Sequence, residues 1–231
     1  MIKLKRTSIA VGLLLVTSFA APTGTALAEE QTKGKQGAGS TGELKLLSEE
    51  QYELYKDKME SKINIGLPKK EASSAVISEY ELGSSEETNN SSGNSAKATD
   101  PWNIMDSPSD RNGHTNPIRY GWKGNGPNCD GGFGYAKYSV KHNINSVDLV
   151  AKTVRRGTPH YHSHPRGPRF IGHIVGEAPN GVYIDEKIIV GSNRDTYSYC
   201  MQSNSPDGLR VGVITAYCEG KKLCPSEVNR I

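Results

Sequence analysis

Hydrophobic positions change their spacing partway along this chain. Before about residue 157 they recur with a helical period, and beyond it they alternate. Val147, Val150, Ala151 and Val154 fall at i, i+3, i+4 and i+7, which places them on one face of a helix. Ser146 stands where an N-cap belongs and Gly157 where the helix should stop. Just upstream, Phe133 to Asn143 reads as a shorter helix with Phe133, Ala136 and Val140 on one side. The alternating stretches Arg169 to Val175, Val182 to Val190, Thr196 to Met201 and Leu209 to Tyr217 read as strands. Pro179-Asn180-Gly181 and Ser205-Pro206-Asp207-Gly208 supply turns between them. Helices followed by an antiparallel meander predict an α+β fold, with short N-terminal helices packed on a sheet of about four strands.

Composition divides the chain near residue 100. Residues 29–100 are rich in Ser, Glu, Lys, Gly and Asn and hold no Cys, Trp or Phe. Runs such as Gly83 to Ser95 lack the apolar surface that would offset chain entropy. The region therefore reads as a mostly disordered pro-region or linker. Within it, Ser48 to Ile63 has the marks of an amphipathic helix: Ser48 with Glu49 and Glu50 at the start, and Tyr52, Leu54, Tyr55 and Met59 on an apolar side. Both Trp and all four Cys lie beyond residue 100, so the folded domain is expected at 101–231. Charge follows the same boundary. Residues 29–100 carry 9 Lys/Arg against 14 Asp/Glu, net −5; residues 101–231 carry 16 against 11, net +5. An acidic segment before a basic domain fits a polyanion binder with a masking pro-region, relieved by trimming near Asp100-Pro101.

The first 28 residues read as a bacterial secretory signal. Lys3, Lys5 and Arg6 form a positive n-region, Ile9 to Ala20 an apolar core, and Ala26-Leu27-Ala28 a small-x-small cleavage site. The apolar run is too short for a comfortable membrane span. The expected location is outside the cell, without stable membrane insertion. Cys129, Cys200, Cys218 and Cys224 are an even number in an exported domain, which favours two disulfides. Three pairings are possible. Proximity alone favours Cys218–Cys224, leaving Cys129–Cys200.

Candidate chemistry centres on Lys141-His142, near the end of the first helix, and on Thr215-Ala216-Tyr217 in the last strand. In RNA cleavage by 2′-hydroxyl attack a base removes a proton, an acid protonates the leaving oxygen, and a cation stabilises the phosphorane. Histidine titrates in the range for either proton role, and Lys or Arg suits the charge role. Thr215 and Tyr217 alternate and share one side of their strand. Arg155, Arg156, Arg169 and Arg210 are available for phosphate contact.

A helix ending in Lys141-His142, a second amphipathic helix and a strand meander ending Ile214-Thr-Ala-Tyr217 resembles bacterial ribonuclease toxins of the barnase–EndoU–RelE type. Pro179-Asn180-Gly181-Val182-Tyr183 is similar to a hairpin entry of EndoU-like domains. The resemblance covers roughly residues 118–220. It implies a helical layer on an antiparallel sheet, metal-independent endoribonuclease activity with no cofactor, and His142, Lys141, Thr215 and Tyr217 as catalytic residues. It also implies an RNA substrate, a cognate immunity protein as a possible partner, and a monomer. The chain departs from the pattern at Cys218, where Pro is more usual, and at the basic, His-rich insert 158–168.

Other readings rest on other residues. His160, His162 and His164 alternate, with His173 further on; on one face of an extended segment they would form a metal-binding group. The same insert could instead hold phosphates, or supply a second catalytic imidazole. Asn128-Cys129-Asp-Gly-Gly-Phe133 slightly resembles the start of NlpC-type thiol peptidases, with His173 as the base. A secreted, non-enzymatic antimicrobial or surface-binding module is the competitor from outside the enzymes.

Overall fold

The computed structural model describes residues 42–81, 100–124, 132–162 and 166–231. The signal segment, Gly83 to Ser95, Cys129 and His164 lie outside the described residues. The chain opens with strand β1 (Leu44–Ser48), helix α1 (Glu49–Asn64) and helix α2 (Lys69–Glu81). Short strands β2 (Ile104–Asp106) and β3 (Ile118–Arg119) follow, then α3 (Tyr135–His142) and α4 (Val147–Arg156). Strands β4 (Thr158–His160), β5 (Arg169–Glu177), β6 (Tyr183–Asn193), β7 (Tyr197–Ser198), β8 (Ser203–Asn204) and β9 (Gly212–Cys218) complete the β part, and a 3-10 turn (Ser226–Arg230) ends the chain.

The principal sheet has the order β1-β5-β6-β9, every pair antiparallel, with β4 also paired to β5. β1 covers residues 172–176 of β5 and β4 covers 169–171, so these two short strands share one edge. The fold is α+β with five strands in the main sheet. β7 and β8 form a separate small hairpin, not a long strand from Thr196 to Met201.

One face of the sheet packs on α3 and α4. Phe170, Ile174, Ile188, Val190, Val213 and Ala216 meet Leu149, Val150, Ala151 and Val154 of α4 and Tyr138 of α3. α4 forms as its spacing predicts: the Ser146 Oγ accepts from Leu149 N at 3.0 Å, and Gly157 ends the helix. α3 differs from expectation. Phe133 is buried but lies outside the helix, and Val140 is 67 % exposed. The packed side carries Tyr135, Tyr138 and His142 instead, because Gly134 (φ 72°) starts the helix later. A Cβ at Gly134 would sit 2.6 Å from the Arg119 carbonyl oxygen, so the tight approach requires glycine.

The other face, over β1 and the far half of β5, packs on α1 and α2. Leu47, Tyr55, Met59, Ala72, Val76, Ile77 and Val175 form this second core. Residues 44–81 are therefore folded, and the compact unit starts near Ser40 rather than at 101. Average composition conceals this, because the segment carries its apolar side chains in two short amphipathic patterns. Burying several of them contributes on the order of 10 kcal/mol before chain entropy is subtracted. The start of α1 is a capping box: Ser48 Oγ accepts from Gln51 N, and Gln51 Oε1 accepts from Ser48 N. Tyr55 and Met59 are buried as expected, whereas Leu54 is solvent-exposed.

Cys218 and Cys224 are disulfide-bonded and both belong to the main core. Cys200 is also disulfide-bonded.

Candidate functional site

Antiparallel register places paired residues on the same face of a sheet. On the face away from α4, one row runs His160, Arg169, Gly191, Thr215 across β4, β5, β6 and β9. The next row is Thr158, Ile171, Ile189, Tyr217. Beyond that come Leu47, His173 and Lys187, already under α1. Arg169, Thr215 and Tyr217 thus share a face, as the sequence expectation requires. Gly191 lets the Thr215 side chain lie close over the backbone: a Cβ there would come within 3.2 Å of Thr215 Cγ2.

His142 joins this group at the outer edge of β9, along which α3 packs. Its ring centroid lies 5.7 Å from that of Tyr217. Its Nδ1 is 3.3 Å from the Lys222 carbonyl oxygen; with the proton on Nδ1, Nε2 is left as the basic nitrogen. The helix end is fixed from the disulfide loop, where Cys224 N donates to the His142 carbonyl at 2.9 Å and Asn143 Nδ2 donates to the Cys224 carbonyl at 3.0 Å. Burial pushes the His142 pKa down, and the nearby charges of Lys137 and Lys141 push it in the same direction. Lys141 itself is exposed. Lys137, one turn earlier, is half-buried, and burial followed by the Lys141 charge lowers its pKa. Lys137 was not singled out from the sequence, although its i, i+4 relation to Lys141 was visible there.

The other candidates lie elsewhere. Arg155 pairs with Asp106 at 3.2 Å, on the helix that covers the opposite face. Arg156, at the exposed end of that helix, offers its carbonyl to Arg111. Arg210 gives its carbonyl to Arg119 just before β9.

Among the described residues, His160 and His162 of the insert do not lie on one extended segment. β4 ends at His160, and Tyr161-His162 is a turn. His160 Nε2 lies against Glu49 Oε2 at the start of α1, while Thr158 Oγ1 donates to Glu50 Oε2 at 2.9 Å. The Ser48 hydroxyl, the Glu50 amide and Thr158 hold the Glu50 carboxyl at about 2, helped by the Arg111 charge. His173 is stacked on Tyr52, with ring centroids 3.7 Å apart, and Tyr52 donates to Asp185 at 2.8 Å. Among the described residues no three His, Cys, Asp or Glu side chains converge as a metal site, and no cysteine is free. His160 and His142 stand at opposite edges of the sheet: β4 and β9 are roughly 14 Å apart at strand spacing, and His142 lies outside β9. One phosphodiester cannot be within reach of both.

No known protein family, curated protein or solved structure matches the chain. No helix of the described residues is long and apolar enough to cross a membrane.

Proposed function

We propose that the protein is an exported endoribonuclease toxin whose reaction centre lies at the β9 edge. The observation that carries this reading is the juxtaposition of His142 with Tyr217, beside Thr215 and next to Lys137 and Lys141. It combines a base, hydroxyl groups and cations in one neighbourhood, the set that 2′-hydroxyl attack on a phosphodiester needs. The resemblance to barnase–EndoU–RelE-type toxins supports it through the helical layer on an antiparallel sheet.

In this mechanism Nε2 of His142 accepts the 2′-hydroxyl proton. The 2′-oxygen forms its bond to phosphorus and the bond from phosphorus to the 5′-oxygen breaks. The Tyr217 hydroxyl protonates the departing oxygen, giving a 2′,3′-cyclic phosphate and a 5′-hydroxyl end. Lys137 and Lys141 stabilise the phosphorane charge, the Thr215 hydroxyl binds a phosphate oxygen, and Arg169 holds a flanking phosphate. The chemistry calls for no cofactor. An immunity protein for such a toxin would cover the same edge.

The masking role foreseen for the acidic segment takes a different form. Cutting near Asp100-Pro101 would strip β1 from β5 and uncover His173 and Val175, so it would remove part of the fold as well as charge.

The test is incubation of the purified, oxidised protein with labelled mixed-sequence RNA in chelator, beside His142→Ala and Tyr217→Phe. The wild type should leave 2′,3′-cyclic ends, and His142→Ala should lose about 10²- to 10⁴-fold in rate. The acid limb of the rate should fall below pH 6.5, because His142 acts as the neutral base and its pKa is lowered. RNA left intact by the wild type refutes the reading and favours the binding module.

A further inference from the structure

Beyond the end of the Arg169–Gly191–Thr215 row the structure carries a second cluster that neither the core nor the proposed reaction uses. The backbone continues there as a pair: Ser192 N donates to the Pro168 carbonyl and Arg194 N to the Arg166 carbonyl, each at 3.0 Å. This brings Arg166 and Arg194 to one end of the sheet, and the β7–β8 hairpin starts three residues later. Arg166 lies over the Tyr199 ring at 4.3 Å, and Arg194 over the Tyr161 ring at 5.1 Å. Tyr197 and Tyr199 meet edge to face at 5.2 Å.

Tyrosine rings are on average partly covered. Here Tyr197 is 38 % and Tyr199 52 % exposed. The guanidinium groups supply positive charge and hold rings in place by cation–π contact. Two carboxylates belong to this neighbourhood: Asp110, beside Tyr161, and Asp195, which follows Arg194 in the chain. Exposed aromatic side chains interleaved with arginine match what unpaired bases stack on. A duplex hides those base faces and would gain only from the charges.

We propose that Tyr197 and Tyr199, with Arg166 and Arg194, form a base-stacking platform for single-stranded RNA. The platform rests on the ribonuclease reading for its role as a substrate subsite. Arg194, just past the end of β6, is five residues from Ile189, the partner of Tyr217, or roughly 17 Å at strand rise. A strand cleaved at the β9 edge therefore lays its flanking nucleotides past Arg169 and onto the hairpin.

The experiment measures binding by fluorescence anisotropy of a labelled 12-nucleotide 2′-O-methyl RNA, which lacks the attacking hydroxyl. The comparison ligands are its duplex and dextran sulfate, and the variant is Tyr197→Ala/Tyr199→Ala. The platform predicts that the tyrosine double variant binds the single strand at least about 10-fold more weakly, from the loss of two stacks. Duplex and dextran sulfate binding should change less than twofold. An unchanged single-strand affinity in the double variant, or no single-strand binding by the wild type, overturns the platform. If natural RNA is cleaved while the double variant binds and cleaves normally, the platform alone falls. If the single strand binds through the tyrosines and natural RNA stays intact, the ribonuclease reading alone falls.

Discussion

Removing the Asp207 carboxylate should be among the most damaging single changes available outside the apolar core. Arg119 is fully buried, and Asp207 receives two of its bonds, Nη1 to Oδ2 and Nη2 to Oδ1, each at 2.9 Å. The same guanidinium donates to the Trp102 carbonyl at 2.6 Å and the Arg210 carbonyl at 3.1 Å, and it lies 5.3 Å from the Trp102 ring centre. Asp207→Ala leaves the cation buried with two carbonyls as its remaining oxygen partners. Breaking a buried pair costs about 3–5 kcal/mol. Asp207 is 35 % exposed, so water can partly replace it and the lower end, about 3 kcal/mol, applies here. For a folded unit of this size that is a fall in Tm of about 6–12 °C. Hydrogen bonding from Arg119 is the main cause holding the Asp207 pKa below its ordinary value. Its contribution to stability is therefore present above pH 4 and disappears as pH falls through the folded-state pKa. Urea unfolding of wild type and variant at pH 7 and at pH 3, disulfides intact, measures both. Adding Arg119→Met to Asp207→Ala should recover part of the loss, since it removes the stranded charge. A cost below 1 kcal/mol for Asp207→Ala, or no recovery in the double variant, would mean that the guanidinium is hydrated and the reasoning is wrong.

Two further outcomes follow from the core and the edge. Cys218→Ala/Cys224→Ala opens a loop of six-residue separation and should cost about 2 kcal/mol by loop entropy; because this loop fixes the end of α3, the proposed RNA cleavage should slow as well, and an unchanged urea midpoint would show that the loop holds without its bridge. His173 is buried against Tyr52, and burial, followed by the Lys187 charge, lowers its pKa. The neutral ring favours the folded state, so stability should decline as pH drops below 6.5 toward the folded-state pKa. His173→Gln should flatten urea midpoints measured between pH 7.5 and 5.5, and an identical slope in the variant would assign the dependence to another group.

Local chemistry determined part of this protein. α4 is specified by four apolar residues at helical spacing, a serine cap and a terminal glycine, each acting within about one turn. The capping box at Ser48, the turns at Asn180-Gly181 and Asp207-Gly208, and the strands β5, β6 and β9 are legible for the same reason. So is the shared face of Thr215 and Tyr217, which strand alternation alone fixes.

What depends on distant partners was not legible. β1 becomes a strand because β5 presents an unpaired edge to it, and α2 holds because Val76 and Ile77 find Val175 and Tyr55. A segment average of polar residues cannot register either event. The face that α3 buries was misread because Gly134 delays the helix and the β9 edge selects Tyr138 and His142 rather than Val140. Arg155 and Arg169 look equivalent along the chain, yet the sheet separates them onto opposite faces. The distance between His160 and His142 exists only once four strands lie side by side. Sequence set the residue types and local periods, while tertiary pairing decided which side chains meet, because strand order and face assignment are properties of contacts far apart in the chain.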